Sequence, residues 1–263
     1  MVDPLRHAAV TLSAVALTAA CAVGATTASG AAPTGDAAVA PTAAAAPAAP
    51  APPVVLLDPG HNGGNAAHSK EINRQVPDGR GGTKACNTTG TSTAAGYTEH
   101  AFNWDVAKRV QARLQKAGVR VVMTRPNDTG VGPCVNERGA AATKAGAALA
   151  VSLHADGAAP SGHGFHVIYA DPAVRGGERS QKLATTLRDA LRGARFAPSD
   201  YRGHGGLDGR PDLAGLNTSH VPTALVEAAN MRNAAEARLV SSPAGRDRYA
   251  AAVAAGVLRY LGR

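Results

Sequence analysis

The sequence predicts an α/β fold with a mixed, largely parallel central sheet that is flanked by helices on both faces. Apolar runs alternate with helical segments along the chain, which is the order expected of a layered α/β domain. The runs at residues 54–57, 147–153 and 221–226 are almost continuously apolar, as strands buried on both faces are. A polar residue follows each run, and parallel strands would bring these residues to one edge of the sheet, where ligands bind in open α/β sheets.

The first strand is predicted to stop at Asp58-Pro59-Gly60, since proline supplies no N–H and glycine tolerates unusual dihedral angles. A helix is predicted from Thr98 to Gly118, because apolar residues recur at every fourth position: Phe102, Val106, Val110 and Leu114. Similar patterns predict strands at residues 119–124 and 164–170 and helices at 136–145, 180–191, 234–239 and 248–261.

Two glycine-rich stretches, residues 65–96 and 198–217, show no apolar period and are predicted to be loops. A loop as long as the first is usually functional or mobile rather than filler.

The chain divides into three predicted parts. Residues 1–30 have the layout of a secretory signal peptide, with an apolar run that is short for a membrane span and small residues after it. Residues 31–53 are almost wholly Ala, Pro, Thr and Gly, which indicates a flexible linker. The folded domain then spans residues 54–263. Cys21 follows a sequence only loosely like a lipobox, so export without lipid attachment is favoured, and lipid anchoring at Cys21 is the alternative.

The predicted domain is strongly basic. Residues 1–50 contain one of the 27 basic residues, Arg6, and two of the 19 acidic ones, Asp3 and Asp36, so the remainder has a net charge of +9. An exported protein with this charge is attracted to anionic polymers such as a bacterial wall, heparin-like glycans or nucleic acid, and charge alone does not choose among them.

Outside the leader, Cys86 and Cys134 remain as a pair. Export to an oxidising compartment favours a disulfide between them, and two free buried cysteines are the alternative.

Four residues form a candidate catalytic set. His61, His154 and Glu227 follow the three apolar strands, and Glu99 lies in the first turn of the predicted helix, with Asn103 one turn later on the same face. Two histidines and a carboxylate are the ligands of a catalytic zinc site, and a second carboxylate can act as general base. Scattered His and Glu residues also have structural explanations, so spacing alone leaves this open.

Other polar residues are candidates for contacting substrate or for orienting the ligands: Asp58, Asn103, Arg138, Asp156 and Asn217. Arg138 could equally serve only to pair with a carboxylate. His163 and His166 are three positions apart on a strand and face opposite sides, so at most one could join a site; surface or satisfied polar roles are favoured for both.

The sequence resembles the zinc-dependent N-acetylmuramoyl-L-alanine amidases of the amidase 3 type. Residues 55–64, Val-Leu-Leu-Asp-Pro-Gly-His-Asn-Gly-Gly, are similar to the opening motif of that family. Further segments resemble its later motifs in the same order: residues 96–103, 124–128, 136–140, 152–156 and 222–233. One departure is that Ala228 and Ala229 follow Glu227, where the family commonly has a small and a bulky residue.

The resemblance implies a phosphorylase/hydrolase-like fold in which His61, Glu99 and His154 hold Zn²⁺ and Glu227 is the base. It also implies an exported enzyme, located in the periplasm, the cell wall or the medium, that acts on peptidoglycan or muropeptide fragments. The implied reaction is hydrolysis of the amide between N-acetylmuramic acid and L-alanine of the stem peptide. We expect a monomer without a nucleic-acid partner.

Two other functions are compatible with the same residues. A non-catalytic wall-binding or regulatory module would use the basic surface, and a zinc peptidase acting within stem peptides would use the same metal ligands.

Overall fold

A six-stranded mixed sheet forms the centre of the fold, in the order β4-β1-β5-β8-β6-β7. Its strands are β1 (Val54–Pro59), β4 (Arg120–Met123), β5 (Leu149–Asp156), β6 (His166–Ala170), β7 (Leu207–Arg210) and β8 (Thr223–Asn230). Neighbouring strands run parallel except β6 and β8, which are antiparallel. The predicted mixed, largely parallel sheet is therefore confirmed.

The computed structural model describes residues 51–170 and 177–263, and Ala49–Arg263 form one compact unit. The predicted signal peptide (1–30), Cys21 and nearly all of the predicted linker (31–53) lie outside the described residues. Within the described ranges, no helix is long and apolar enough to cross a membrane.

Helices cover both faces of the sheet. The long helices α2 (Glu99–Lys116), α4 (Gly177–Gly193) and α7 (Pro243–Tyr260) pack on one face and on one another, and α6 (Ala234–Ser241) joins them against α7. The shorter helices α3 (Val135–Lys144) and α5 (Ala214–Asn217) lie on the other face.

Strand β1 buries apolar side chains on both faces of the sheet. Val55 and Leu57 pack in the larger core with α2, whereas Val54 and Leu56 pack in a smaller core on the side of α3. Burial of alternate side chains on opposite faces explains the unbroken apolar run in the sequence.

The prediction of an unstructured loop over residues 65–96 is wrong. This segment contains one turn of 3-10 helix (Asn65–Ala67), the short helix α1 (Ser69–Ile72) and an antiparallel hairpin of β2 (Gln75–Pro77) and β3 (Thr83–Ala85). Each of these elements has only three or four residues, which is too short for a periodic pattern of apolar residues to be recognised in the sequence.

The prediction of a loop over residues 198–217 is also wrong, because β7 and α5 lie within it. Strand β7 pairs only with β6 at the edge of the sheet, and its sequence Leu-Asp-Gly-Arg has no apolar alternation. Edge strands need fewer buried side chains than central ones, which removes the usual signal.

Two strands and one helix have boundaries that differ from the prediction. Strands β5 and β8 continue beyond His154 and Glu227, so both residues lie inside strands rather than at their ends. Helix α7 begins at Pro243 instead of residue 248, since the Ser242 side chain accepts a hydrogen bond from the Gly245 N–H and proline suits the first helical turn.

Candidate metal centre and active site

The side chains of His61, Glu99 and His154 converge at one edge of the sheet. Nε2 of His61 lies 3.1 Å from Oε1 of Glu99, and Nδ1 of His154 lies 2.9 Å from the same oxygen. The candidate ligand atoms of the three residues all lie within 4.8 Å of one another. The fold therefore brings together the three residues that the sequence predicts as metal ligands.

Strand β1 carries His61 to this edge. The Gly60 N–H donates to the Leu153 carbonyl at 2.9 Å, which continues the contact with β5 one residue beyond the strand. His61 then adopts a φ of 57°, in the left-handed region that few residues other than glycine occupy. The chain turns sharply at this point, and the imidazole lies against Glu99.

Backbone atoms of residues 88–91 fix the orientation of two candidate ligands. Nδ1 of His61 lies 2.9 Å from the Thr88 carbonyl oxygen, and the Thr91 N–H donates to Oε2 of Glu99 at 2.9 Å. Because a carbonyl oxygen only accepts, this contact assigns the proton of neutral His61 to Nδ1 and leaves the Nε2 lone pair for a metal.

Electrostatics favour positive charge between these groups. Burial alone would raise the pKa of Glu99, but His61 and His154 hold it well below its usual range. Burial alone would lower the pKa of His61, but the Glu99 carboxylate and the Thr88 carbonyl raise it above its usual value. A buried carboxylate that stays ionised is therefore available to bind a cation.

Two glycines leave the space that the three side chains need. A Cβ atom at Gly60 would lie 2.0 Å from Cε1 of His154, and one at Gly90 would lie 2.7 Å from Oε2 of Glu99. Two imidazoles and one carboxylate are the donor set of catalytic zinc sites. The residues present therefore fit a zinc ion.

Glu227 lies next to this centre. It is in register with His154 on the adjacent parallel strand, so both side chains leave the same face of the sheet. Burial raises the pKa of Glu227 well above its usual value; the carboxylates of Glu99 and Asp156 raise it further, and Arg210 opposes the shift. A carboxyl group with a raised pKa beside a metal site is typical of a general acid or base.

One cavity of about 460 Å³ connects these groups. It lies on the face of the sheet that carries α3 and α5, and its walls include His61, Glu99, His154 and Glu227. Apolar side chains of the sheet form another part of its lining: Leu56, Ala150, Ile168 and Leu225.

Asp58 and Arg138 support the turn that carries His61. Nη1 of Arg138 donates to Oδ1 of Asp58 at 2.6 Å, and Nη2 donates to the His61 carbonyl at 2.9 Å. The hydroxyls of Thr124 and Ser152 also donate to the Asp58 carboxylate. Arg138 pairs with a carboxylate, as one of the two sequence interpretations held, and through that pair it orients the loop of a candidate ligand.

The remaining predicted polar residues occupy different places. Asn103 is fully buried and donates from Nδ2 to the Gly60 carbonyl at 3.2 Å. Asp156 lines the cavity. Asn217 does not line it; its Nδ2 donates to the carbonyls of Asp78 and Pro211, joining the hairpin to the segment before α5.

The predicted disulfide is confirmed. Cys86 and Cys134 are bonded, at a sequence separation of 48. The bond joins the residue immediately after β3, just before Thr88 and Thr91, to the residue immediately before α3, which carries Arg138.

Sequence reasoning missed three residues of the site. Thr88 and Thr91 act through backbone atoms, so no side-chain type signals their role. Arg210 lines the cavity near Glu227, but it belongs to strand β7, which the sequence pattern does not predict.

Comparison with known proteins places the chain in a family. The family described as N-acetylmuramoyl-L-alanine amidase (Amidase_3) matches residues 55–259. The amidase Rv3717 of Mycobacterium tuberculosis is 47% identical over 211 residues, which cover 79% of this chain and 86% of that protein.

Solved structures agree with this match. The crystal structure of the amidase Ami1 from Mycobacterium smegmatis is similar with a TM-score of 0.78 and 47% identity, over 81% of this chain and 98% of the other. Apo Ami1 from Mycobacterium abscessus gives a TM-score of 0.77 and 47% identity, over 80% and 99% of the two chains. The chain therefore belongs to the N-acetylmuramoyl-L-alanine amidase family and is an enzyme of that class.

Proposed function

We propose that the chain is a zinc-dependent peptidoglycan amidase that hydrolyses the amide between N-acetylmuramic acid and L-alanine of the stem peptide. The observation that carries this proposal is the convergence of His61, Glu99 and His154 beside the buried carboxyl of Glu227. Similarity to amidases of the same class over most of the chain supports the choice of substrate.

His61, Glu99 and His154 would hold the metal. Zinc bound by such a set acidifies a water molecule and polarises a substrate carbonyl group. The Thr88 carbonyl keeps His61 in the tautomer that offers Nε2, and the Thr91 N–H holds the far oxygen of Glu99. These contacts fix the ligands before the metal arrives, which reduces the cost of ordering them.

Glu227 would act as the general base. Its carboxylate would take a proton from the attacking water as the water oxygen bonds to the carbonyl carbon, and would pass that proton to the amide nitrogen as the C–N bond breaks, so the peptide leaves as an amine and not as an amide anion. Burial raises the pKa of Glu227, and a carboxylate with a higher pKa is a stronger base toward the water proton.

We also propose that residues 54–263 are the catalytic domain and that residues 1–30 direct its export, with residues 31–53 as a linker. The enzyme then meets its substrate in the periplasm, the cell wall or the medium. The oxidising compartment is consistent with the Cys86–Cys134 disulfide.

The test is product analysis with muramyl dipeptide and larger muropeptides. The zinc-loaded enzyme should release intact stem peptide with an L-alanine amino terminus, and the Glu227→Gln variant should lose most activity while keeping its zinc. Cleavage inside the stem peptide would instead indicate a zinc peptidase. Binding to sacculi with no released peptide would indicate a wall-binding module.

A further inference from the structure

A second histidine lies opposite the candidate base on the neighbouring strand, on the side away from His154. His166 of β6 is the antiparallel register partner of Glu227 in β8, just as His154 is its parallel partner on the other side. The three side chains leave the same face of the sheet in one row, with Glu227 in the middle. Directly opposed residues have Cβ atoms about 5 Å apart, which is close enough for their side chains to interact.

His166 is buried, with 1% of its surface exposed, and Nδ1 has no hydrogen-bond partner among the described residues. Oε2 of Glu227 is likewise buried without a partner in that part of the chain. The rings of His166 and Tyr201 stand edge-to-face with centroids 6.0 Å apart. Buried polar groups in folded proteins are nearly always paired, so two unpaired groups on facing residues, one of them the candidate base, call for a functional explanation.

The His166 imidazole can donate a hydrogen bond and the Glu227 carboxylate can accept one. Burial lowers the pKa of His166 to about 4; Asp156 opposes that shift, and Arg202 and Arg210 add to it. The imidazole is therefore neutral at neutral pH and carries one N–H. The Glu227 carboxylate offers acceptor oxygens, and the two residues face each other across neighbouring strands at a distance over which side chains can interact.

We propose that His166 is a positioning residue for Glu227, donating an N–H from Nδ1 to Oε2 of the carboxylate so that the other oxygen faces the scissile amide. This inference rests on the proposed role of Glu227 as the base. A hydrogen bond to the ionised form also keeps the Glu227 pKa from rising further in a buried site. Tyr201 packs edge-to-face against the His166 ring.

The test compares two variants of the zinc-loaded enzyme. His166→Phe keeps a flat ring and removes both nitrogens, and it should lower kcat roughly tenfold with KM within about twofold, as loss of one hydrogen bond to a charged group implies. Its acidic limb of activity should move to higher pH, because Glu227 is harder to deprotonate without the donor. His166→Asn, whose amide can replace the Nδ1 donor, should recover much of kcat and return the limb toward its original pH.

His163→Ala is the matched control, since His163 is exposed and its ring nitrogen Nδ1 pairs with Asp200 at 2.9 Å, away from Glu227. This variant should keep the kcat and the pH profile of the unaltered enzyme. A folded His166→Phe variant with unaltered kcat and acidic limb would overturn the proposal, as would equal losses in the Phe and Asn variants without movement of the limb.

A second readout does not depend on altering His166. In ¹⁵N-histidine NMR of the zinc-loaded protein, Glu227→Gln should shift the ring nitrogen signals of His166 and leave those of His163 in place. Unchanged His166 signals would overturn the inference. If Glu227→Gln retained full activity, the proposed function would fail instead, so the two failures are distinguishable.

Discussion

Two buried arginines hold the short backbone segment that presents His61. Arg125 donates from Nε to the Pro59 carbonyl at 2.9 Å, and Arg138 donates from Nη2 to the His61 carbonyl at 2.9 Å. Their charges are balanced by Asp128 and Asp58, so the guanidinium groups are paired in the interior. Such pairs fix geometry more than they add stability, because burying both charges is costly.

Asp58 makes the stability of the fold depend on acid pH. Burial would raise its pKa, but Arg138 and the hydroxyls of Thr124 and Ser152 lower it from 3.8 to about 2. The folded state thus binds this proton more weakly than the unfolded state. Ionised Asp58 therefore adds roughly 2 kcal/mol to the free energy of unfolding. This contribution is complete above about pH 4 and is lost as the pH falls toward 2.

Urea unfolding of the unaltered protein and of Asp58→Asn between pH 6 and pH 2 measures the contribution of Asp58 to stability. The difference in free energy of unfolding between the two proteins should shrink by roughly 2 kcal/mol on going to low pH. A difference that stays constant across the range would contradict the role assigned to Asp58.

At the scale of elements, the turn after β1 requires glycine at position 60. The backbone there is tied to β5 by the bond from the Gly60 N–H to the Leu153 carbonyl, and an added methyl group would overlap the His154 ring. In Gly60→Ala the ring must move, so we expect zinc affinity to fall on the order of 10–100-fold, as it does when ligand orientation is lost.

Competition with a chelator measures the affinity. Gly193→Ala is the matched control, because a Cβ atom at Gly193 would meet no atom within 4 Å. Equal zinc affinity in Gly60→Ala and the unaltered protein would show that the turn does not restrict His154.

The disulfide connects the segment that holds two ligands to the start of α3. Replacing both Cys86 and Cys134 by serine removes a crosslink across 48 positions, which should lower the free energy of unfolding by about 4 kcal/mol in the chain-entropy account. The hairpin and the contacts of Thr88 and Thr91 should become more mobile. Hydrogen exchange at residues 74–91 measures this local effect, and unchanged exchange together with unchanged stability would refute it.

Elements that bury a repeated apolar face could be predicted from the sequence, and the others could not. Strands β1, β5 and β8 and helix α2 each leave a clear apolar run or period, because their side chains face a core. Strands β2, β3 and β7 are three or four residues long and lie in a hairpin or at an edge of the sheet, so they show no apolar run or period in the sequence.

The same distinction applies to the candidate site. His61, Glu99, His154 and Glu227 could be named because a ligand or a base requires a specific side chain in a recognisable order of strands. The contacts that orient them come from the main chain of residues 88–91, where the side-chain type does not matter. The proximity of His166 to Glu227 could not be predicted, because the sequence does not show that their strands are neighbours or that the two residues lie opposite each other.

At the scale of the whole molecule, charge should govern attraction to the wall. Residues 51–263 contain all but one of the 27 basic residues of the chain. Exposed charges are screened over about 8 Å at physiological ionic strength, so binding to purified sacculi should weaken steadily as salt is added. Cosedimentation of the Glu227→Gln variant, which we expect to be inactive, over a series of salt concentrations measures this binding without digestion, and salt-independent binding would exclude a charge-driven mechanism.

We propose that zinc held by His61, Glu99 and His154 works together with Glu227 to cut the amide of L-alanine. Mass spectrometry of the products from muramyl dipeptide tests this cooperation, using zinc-loaded enzyme, metal-stripped enzyme and zinc-loaded Glu227→Gln. The zinc-loaded enzyme should release the dipeptide with a free L-alanine amino terminus, and the other two samples should release almost none. Equal release by all three samples would contradict it.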